Sequence, residues 1–173
     1  MVENTVINGT IHDIPQVWEI LKKIPDPEVP AISIVELGVV RSVEEIDSGL
    51  LITITPTYSG CPALMEMESN IRDALTENGI HNLKIKTVLF PAWTTDWLTP
   101  EARRKLKDYG IAPPATSTED HLKSLMGGKK NPVTCPFCSS SKTVLTSAFG
   151  STACKALHYC NSCNQPFEEF KCH

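Results

Sequence analysis

Two cysteine pairs constrain the fold of this chain more than any other feature. They are Cys135-Pro136-Phe137-Cys138 and Cys160-Asn161-Ser162-Cys163, separated by 21 residues. Two residues between cysteines let the backbone turn a knuckle and aim both sulfurs at one ion. Four thiolates in a tetrahedron suit Zn²⁺, and iron is the competing metal because thiolate tetrahedra hold it too. Between the knuckles, Lys142–Phe149 and Cys154–Tyr159 read as two strands joined by a turn at Gly150-Ser151. The spacing thus predicts a zinc ribbon over residues 132–173, a module too small to fold on its core alone. Cys154, Cys172 and His173 are left over, and His158 lies near the second knuckle. These read as packing, surface or tail residues, with a second soft site made by Cys154 and Cys172 as the alternative.

The 173 residues leave room for one ordinary domain before this module, and 41% hydrophobic residues can fill its core. The net charge of -4 gives no support for nucleic-acid binding. It is unevenly spread: residues 1–128 carry 11 basic and 18 acidic side chains, residues 129–173 carry 5 and 2. Two modules of different surface character are implied. No signal peptide and no membrane-spanning run is visible, so a cytoplasmic, reducing compartment is expected. There the 7 cysteines read as metal ligands or reactive thiols.

The first domain reads as helix, hairpin, helix, strand, helix, an α+β arrangement with a small mixed sheet. Asp13 and Pro15 open the first helix, with Ile14, Val17, Trp18 and Leu21 as its apolar face. Asp26-Pro27-Glu28-Val29-Pro30 is a stiff turn that presents Asp26 and Glu28, or simply a solvated acidic turn. A strand ending near Ile46, a turn at Asp47-Ser48-Gly49 and a strand to Thr55 form the hairpin. Thr57-Tyr58-Ser59-Gly60-Cys61-Pro62 then leads into a helix with Leu64, Met67, Ile71 and Leu75 on one face. Pro62 in its first turn would put Cys61 at or next to the N-cap, where the helix dipole favours thiolate. A packed, inert cysteine is the alternative. A third strand is expected from Leu83 through Phe90. Trp93 and Trp97 are expected to pin their loop to the core, with a binding face as the alternative. Thr99 and Pro100 open a last helix, with Arg103, Arg104, Lys105 and Lys107 as a solvated face. Residues 112–131 read as a linker holding one short helical piece from Glu119 to Leu125.

The Asp26–Pro30 turn, the Glu36-Leu37-Gly38 lead into the hairpin and the Thr57–Pro62 segment together resemble the family of iron–sulfur assembly factors that includes bacterial SufT. The resemblance covers residues 12–111, within an assembly domain read as 1–111. It implies that Cys61, Asp26 and Glu28 handle iron or a cluster transiently. Carboxylates beside Cys61 would oppose its ionisation unless a metal or base intervened. A transient metal or sulfide site therefore makes more sense here than a free nucleophile.

With the ribbon and its Phe149–Ala156 stretch added, nearly the whole chain resembles the PaaD (PaaJ) family of bacterial phenylacetate degradation. That resemblance implies phenylacetyl-CoA epoxidase subunits as partners and maturation of that enzyme's iron–sulfur or iron centre as the role. The chain itself would then be an accessory factor and not an enzyme. The sequence agrees, with no Glu-x-x-His pairs for a di-iron site and no Gly-x-Gly-x-x-Gly fingerprint. A structural subunit with an inert Cys61 is the alternative. A thiol enzyme ranks last, since no histidine is placed as its base. A homo-oligomer stays open.

Overall fold

The computed structural model describes residues 13–47, 49–114 and 132–171. Helix α1 (Ile14–Leu21) buries Val17, Ile20 and Leu21. Strands β1 (Val40–Ile46) and β2 (Gly49–Ile54) pair antiparallel, and β3 (Leu83–Thr87) adds to β2 in parallel after helix α2 (Leu64–Glu77). The sheet is mixed, in the order β1-β2-β3. Alternation along β2 buries Leu50, Ile52 and Ile54, which pack with Met67, Ile71 and Leu75 of α2. A three-residue 3-10 turn (Thr95–Trp97) and helix α3 (Pro100–Asp108) complete the first domain.

The ribbon sheet contains β4 (Ile111–Ala112), β5 (Thr143–Ser147), β6 (Lys155–Cys160) and β7 (Pro166–Phe170), in the order β4-β7-β6-β5. Strands β5, β6 and β7 form an antiparallel meander. The third of these was not legible in the sequence. Pro166-Phe167-Glu168-Glu169-Phe170 carries two adjacent acids and a leading proline, and only its burial of Phe167 and Phe170 against its neighbours shows it to be a strand. Strand β4 comes from the stretch where the assembly domain is expected to give way to the linker. It pairs in parallel with Glu168 and Glu169. The expected helical piece at Glu119–Leu125 lies outside the described residues.

Several local expectations meet corrections. Asp13 stands at the N-cap of α1, yet its side chain makes no capping bond. Helix α2 begins at Leu64, so Pro62 lies in the turn before it and Ala63, not Cys61, is the N-cap. Strand β3 stops at Thr87; Leu89 and Phe90 are exposed, and the Phe90–Pro91 peptide is cis. Arg103 and Lys105 do not belong to a freely solvated face. Arg103 donates to the carbonyls of Pro114 and Thr95, both at 2.6 Å, and Lys105 pairs with Glu36 at 2.6 Å. Arg104 does stay on the surface, paired with Glu101 and Asp108.

The tryptophans pin the loop as expected. Trp93 is buried and donates its Nε1–H to the Leu37 carbonyl at 3.0 Å. Its ring meets Phe170 of β7 edge-on, with centroids 5.9 Å apart. Trp97 lies under the Arg41 guanidinium at 3.3 Å. Gly38 has φ +77, and a Cβ there would meet the Trp97 Cβ at 2.7 Å, so only glycine fits this lead into the hairpin.

Candidate metal centre and thiol–carboxylate cluster

Each ribbon knuckle sets its cysteines by backbone geometry. Ser139 and Asn164 follow Cys138 and Cys163 with φ 59 and 57, the left-handed turn that closes each loop. Their amides return to the carbonyls of Cys135 and Cys160, both at 2.9 Å. The sulfurs of Cys135 and Cys163 lie 3.7 Å apart, and those of Cys138 and Cys160 lie 3.5 Å apart. All four are within 4.8 Å of one another. A tetrahedral zinc with Zn–S bonds of about 2.3 Å needs sulfurs about 3.8 Å apart, so the donor set fits zinc. Backbone N–H groups, first that of Cys163, pull the Cys160 thiol down to about 6. All six described cysteines are free of disulfides, and Cys172 lies outside the described residues. His158 is not a ligand here; it pairs with Glu169 at 2.9 Å and stacks on Phe167.

The second cluster joins the acidic turn to Cys61, and sequence alone could not show that it would. Asp26 is 3% exposed, so it is not presented to solvent. Its Oδ1 accepts from the amides of Glu28 at 3.0 Å and Val29 at 2.8 Å. That Asx-type turn sets the direction of Glu28. Burial pushes the Asp26 carboxyl up to about 6, against those two N–H donors. Cys61 is buried just before α2. Burial raises its thiol above the ordinary value; the Ala63 and Leu64 amides oppose this, and the charges of Glu28 and Asp26 add to it. The expectation of a dipole-favoured thiolate is therefore overturned. The helix begins three residues later, so its free N–H groups cannot outweigh burial and two carboxylates.

Tyr58 and Cys154 belong to the same group. The Tyr58 hydroxyl is raised to about 12, mainly by burial and then by Cys61, Glu28 and Cys154. The Cys154 thiol donates to Glu28 Oε2 at 2.9 Å and sits 3.1 Å from Thr152 Oγ1. Burial first, then that bond to Glu28, raises it to about 12. Lys155, next in the chain, is 5% exposed; it pairs with Glu168 at 3.2 Å and reaches the Glu28 carbonyl at 3.5 Å. Sequence reasoning missed Cys154 and Lys155 as neighbours of the acidic turn, because no local signal links residues this far apart in the chain.

Similarity to known proteins follows the same division. Residues 15–82 match the Iron-sulfur cluster assembly protein family, and residues 119–171 match the PaaD zinc beta ribbon domain. Over 169 residues the chain is 49% identical to an Escherichia coli (strain K12) protein named as a subunit of a "Putative 1,2-phenylacetyl-CoA epoxidase", covering 97% of this chain and 96% of that protein. The chain belongs to the PaaD family. A crystal structure of a domain of unknown function, DUF59, from Bacillus anthracis is similar at a TM-score of 0.50 and 26% identity, over 54% of this chain and 90% of that one. A conserved hypothetical protein from Thermotoga maritima has a TM-score of 0.47 and 26% identity, over 56% of this chain and 94% of that one. The mixed-sheet α+β domain followed by a PaaD zinc ribbon is thus the family's architecture here. Among the described residues, no helix is long and apolar enough to cross a membrane.

Proposed function

We propose that this PaaD-family chain is an accessory factor of a phenylacetyl-CoA epoxidase that matures the enzyme's iron or iron–sulfur centre and is not itself the catalyst. In this reading the assembly domain, residues 1–111, carries cargo iron on Cys61, with Asp26 and Glu28 as oxygen donors. The ribbon, residues 132–173, holds structural zinc and docks the epoxidase subunits. The work belongs to the cytoplasm.

One observation carries the reading. A carboxylate that is 3% exposed and raised to about 6 stands in the same electrostatic group as a buried thiol, and among the described residues no cation pairs with it closely. Burying such a carboxylate costs stability, and proteins retain such costs where a site needs them. Lys155 eases the Asp26 charge only from a distance while pairing with Glu168, and iron would supply positive charge at the donors themselves. The carboxylates then favour the bound state, and the Cys61 proton leaves to solvent as the thiolate takes the metal. The 49% identical relative, named as an epoxidase subunit, and the matching assembly-protein family support the choice of client.

The test is a cell that makes the epoxidase with either the unaltered chain or Cys61→Ser. Iron and acid-labile sulfide in the purified epoxidase should fall with the variant while the variant stays folded and zinc-loaded. Unchanged client metal content would sink the proposal and leave the structural-subunit reading.

A further inference from the structure

We infer that the ribbon completes the cargo site: Cys154 is a second thiolate ligand beside Cys61, with Glu28 between the two modules as an oxygen donor. This rests on the iron-handling reading above and adds a residue that no motif assigns.

The ribbon's own metal group does not use the Cys154 thiol. Its metal group is closed by Cys135, Cys138, Cys160 and Cys163. Its own small core contains Cys135, Cys160, Ala112 and Phe167, whereas Cys154 packs with Phe170 into the core of the first domain. Cys154 is 2% exposed and its Sγ is aimed at a carboxylate 126 residues earlier in the chain. The position is held on both sides: the Lys155 amide bonds to the Thr152 carbonyl at 3.2 Å, and the Lys171 amide to the Cys154 carbonyl at 2.9 Å. Cys61 and Cys154 lie in the same core cluster, with Tyr58 packed against it, and the Glu28 charge acts on both thiols. Two soft sulfurs and a hard oxygen suit Fe²⁺ or a cluster iron better than Mg²⁺ or Ca²⁺.

The ribbon knuckles behave differently. Among the described residues, only those four sulfurs already converge within 4.8 Å. The Cys61–Glu28–Cys154 donors must draw together to hold an ion. A site that closes on loading suits cargo, while a preformed tetrahedron suits a resident ion.

The test uses the full, zinc-loaded chain titrated anaerobically with Fe²⁺ and examined by iron-edge X-ray absorption. The expected result is one iron per chain with two sulfur neighbours and the remainder oxygen or nitrogen, while zinc stays bound. One sulfur neighbour, lost in Cys61→Ser, overturns the role of Cys154 and leaves the iron-handling reading intact. Four sulfurs with release of zinc mean exchange at the ribbon, and overturn the inference. No bound iron overturns both. Cys154→Ser and Cys154→Ala should each weaken Fe²⁺ binding at least about tenfold with zinc content unchanged. Because the unaltered chain already decides the sulfur count, a variant that fails to fold does not blunt the test.

Discussion

Cys154 of the ribbon donates its thiol proton to Glu28 of the acidic turn at 2.9 Å, across 126 residues of chain. The bond ties the ribbon to the acidic turn of the first domain. Changes on either side of it should therefore be felt by both modules.

The interface should depend on Lys155. Its buried ammonium pairs with Glu168 and reaches the Glu28 carbonyl. Lys155→Ala removes the cation paired with Glu168, and the Ser151 amide at 2.7 Å and the partial exposure of Glu168 soften the loss. We expect destabilisation of about 2 kcal/mol by denaturant titration. Limited proteolysis between the modules should also become faster.

Asp26→Asn should stabilise the iron-free, zinc-loaded protein. Asparagine keeps the oxygen that accepts from Glu28 and Val29 and removes the buried charge. The folded carboxyl titrates near about 6, against 3.8 in the unfolded chain. The folded state therefore binds this proton more tightly, so the Asp26 contribution to stability is fully present below pH 4 and is lost as pH rises through 6. Glu28 deepens that loss and Lys155 eases it. The gain from Asp26→Asn should be absent at low pH and reach roughly 2–3 kcal/mol at pH 8. Unfolding curves for both proteins across that range would check it. Iron binding should weaken in the same variant.

Trp93→Phe should cost about 1–2 kcal/mol by leaving the buried Leu37 carbonyl without its donor. Trp93→Ala should cost about 3–5 kcal/mol, since it also empties the contact with Phe170. As that contact spans the modules, both halves should unfold in one transition in the unaltered protein, seen by coincident fluorescence and circular dichroism curves. Separate transitions would show that the contact does not couple them.

Zinc removal should dismantle the ribbon. Cys135→Ser or a strong chelator should take zinc from one per chain to near none, with loss of strand signal from β5, β6 and β7. The parallel pairing of Ile111 and Ala112 with β7 should go with it, read as fast amide exchange at those residues.

Much of this protein was legible in the order of its residues. The C-x2-C spacing named the ribbon, because a knuckle is a local object built from consecutive residues. Alternation marked the hairpin, and helical spacing marked Leu64, Met67, Ile71 and Leu75. The acidic turn and Cys61 were singled out by motif. What they do to each other was not, because a pKa depends on burial and on charges brought near by folding. Tertiary structure alone decided that Asp26 is buried, that Cys61 is not a dipole-favoured thiolate, and that β7 exists and is extended by Ile111-Ala112. It alone brought Cys154 to Glu28. Local patterns are written in residues a few positions apart, while a contact that bridges two modules is set by packing between segments that sequence keeps far from one another.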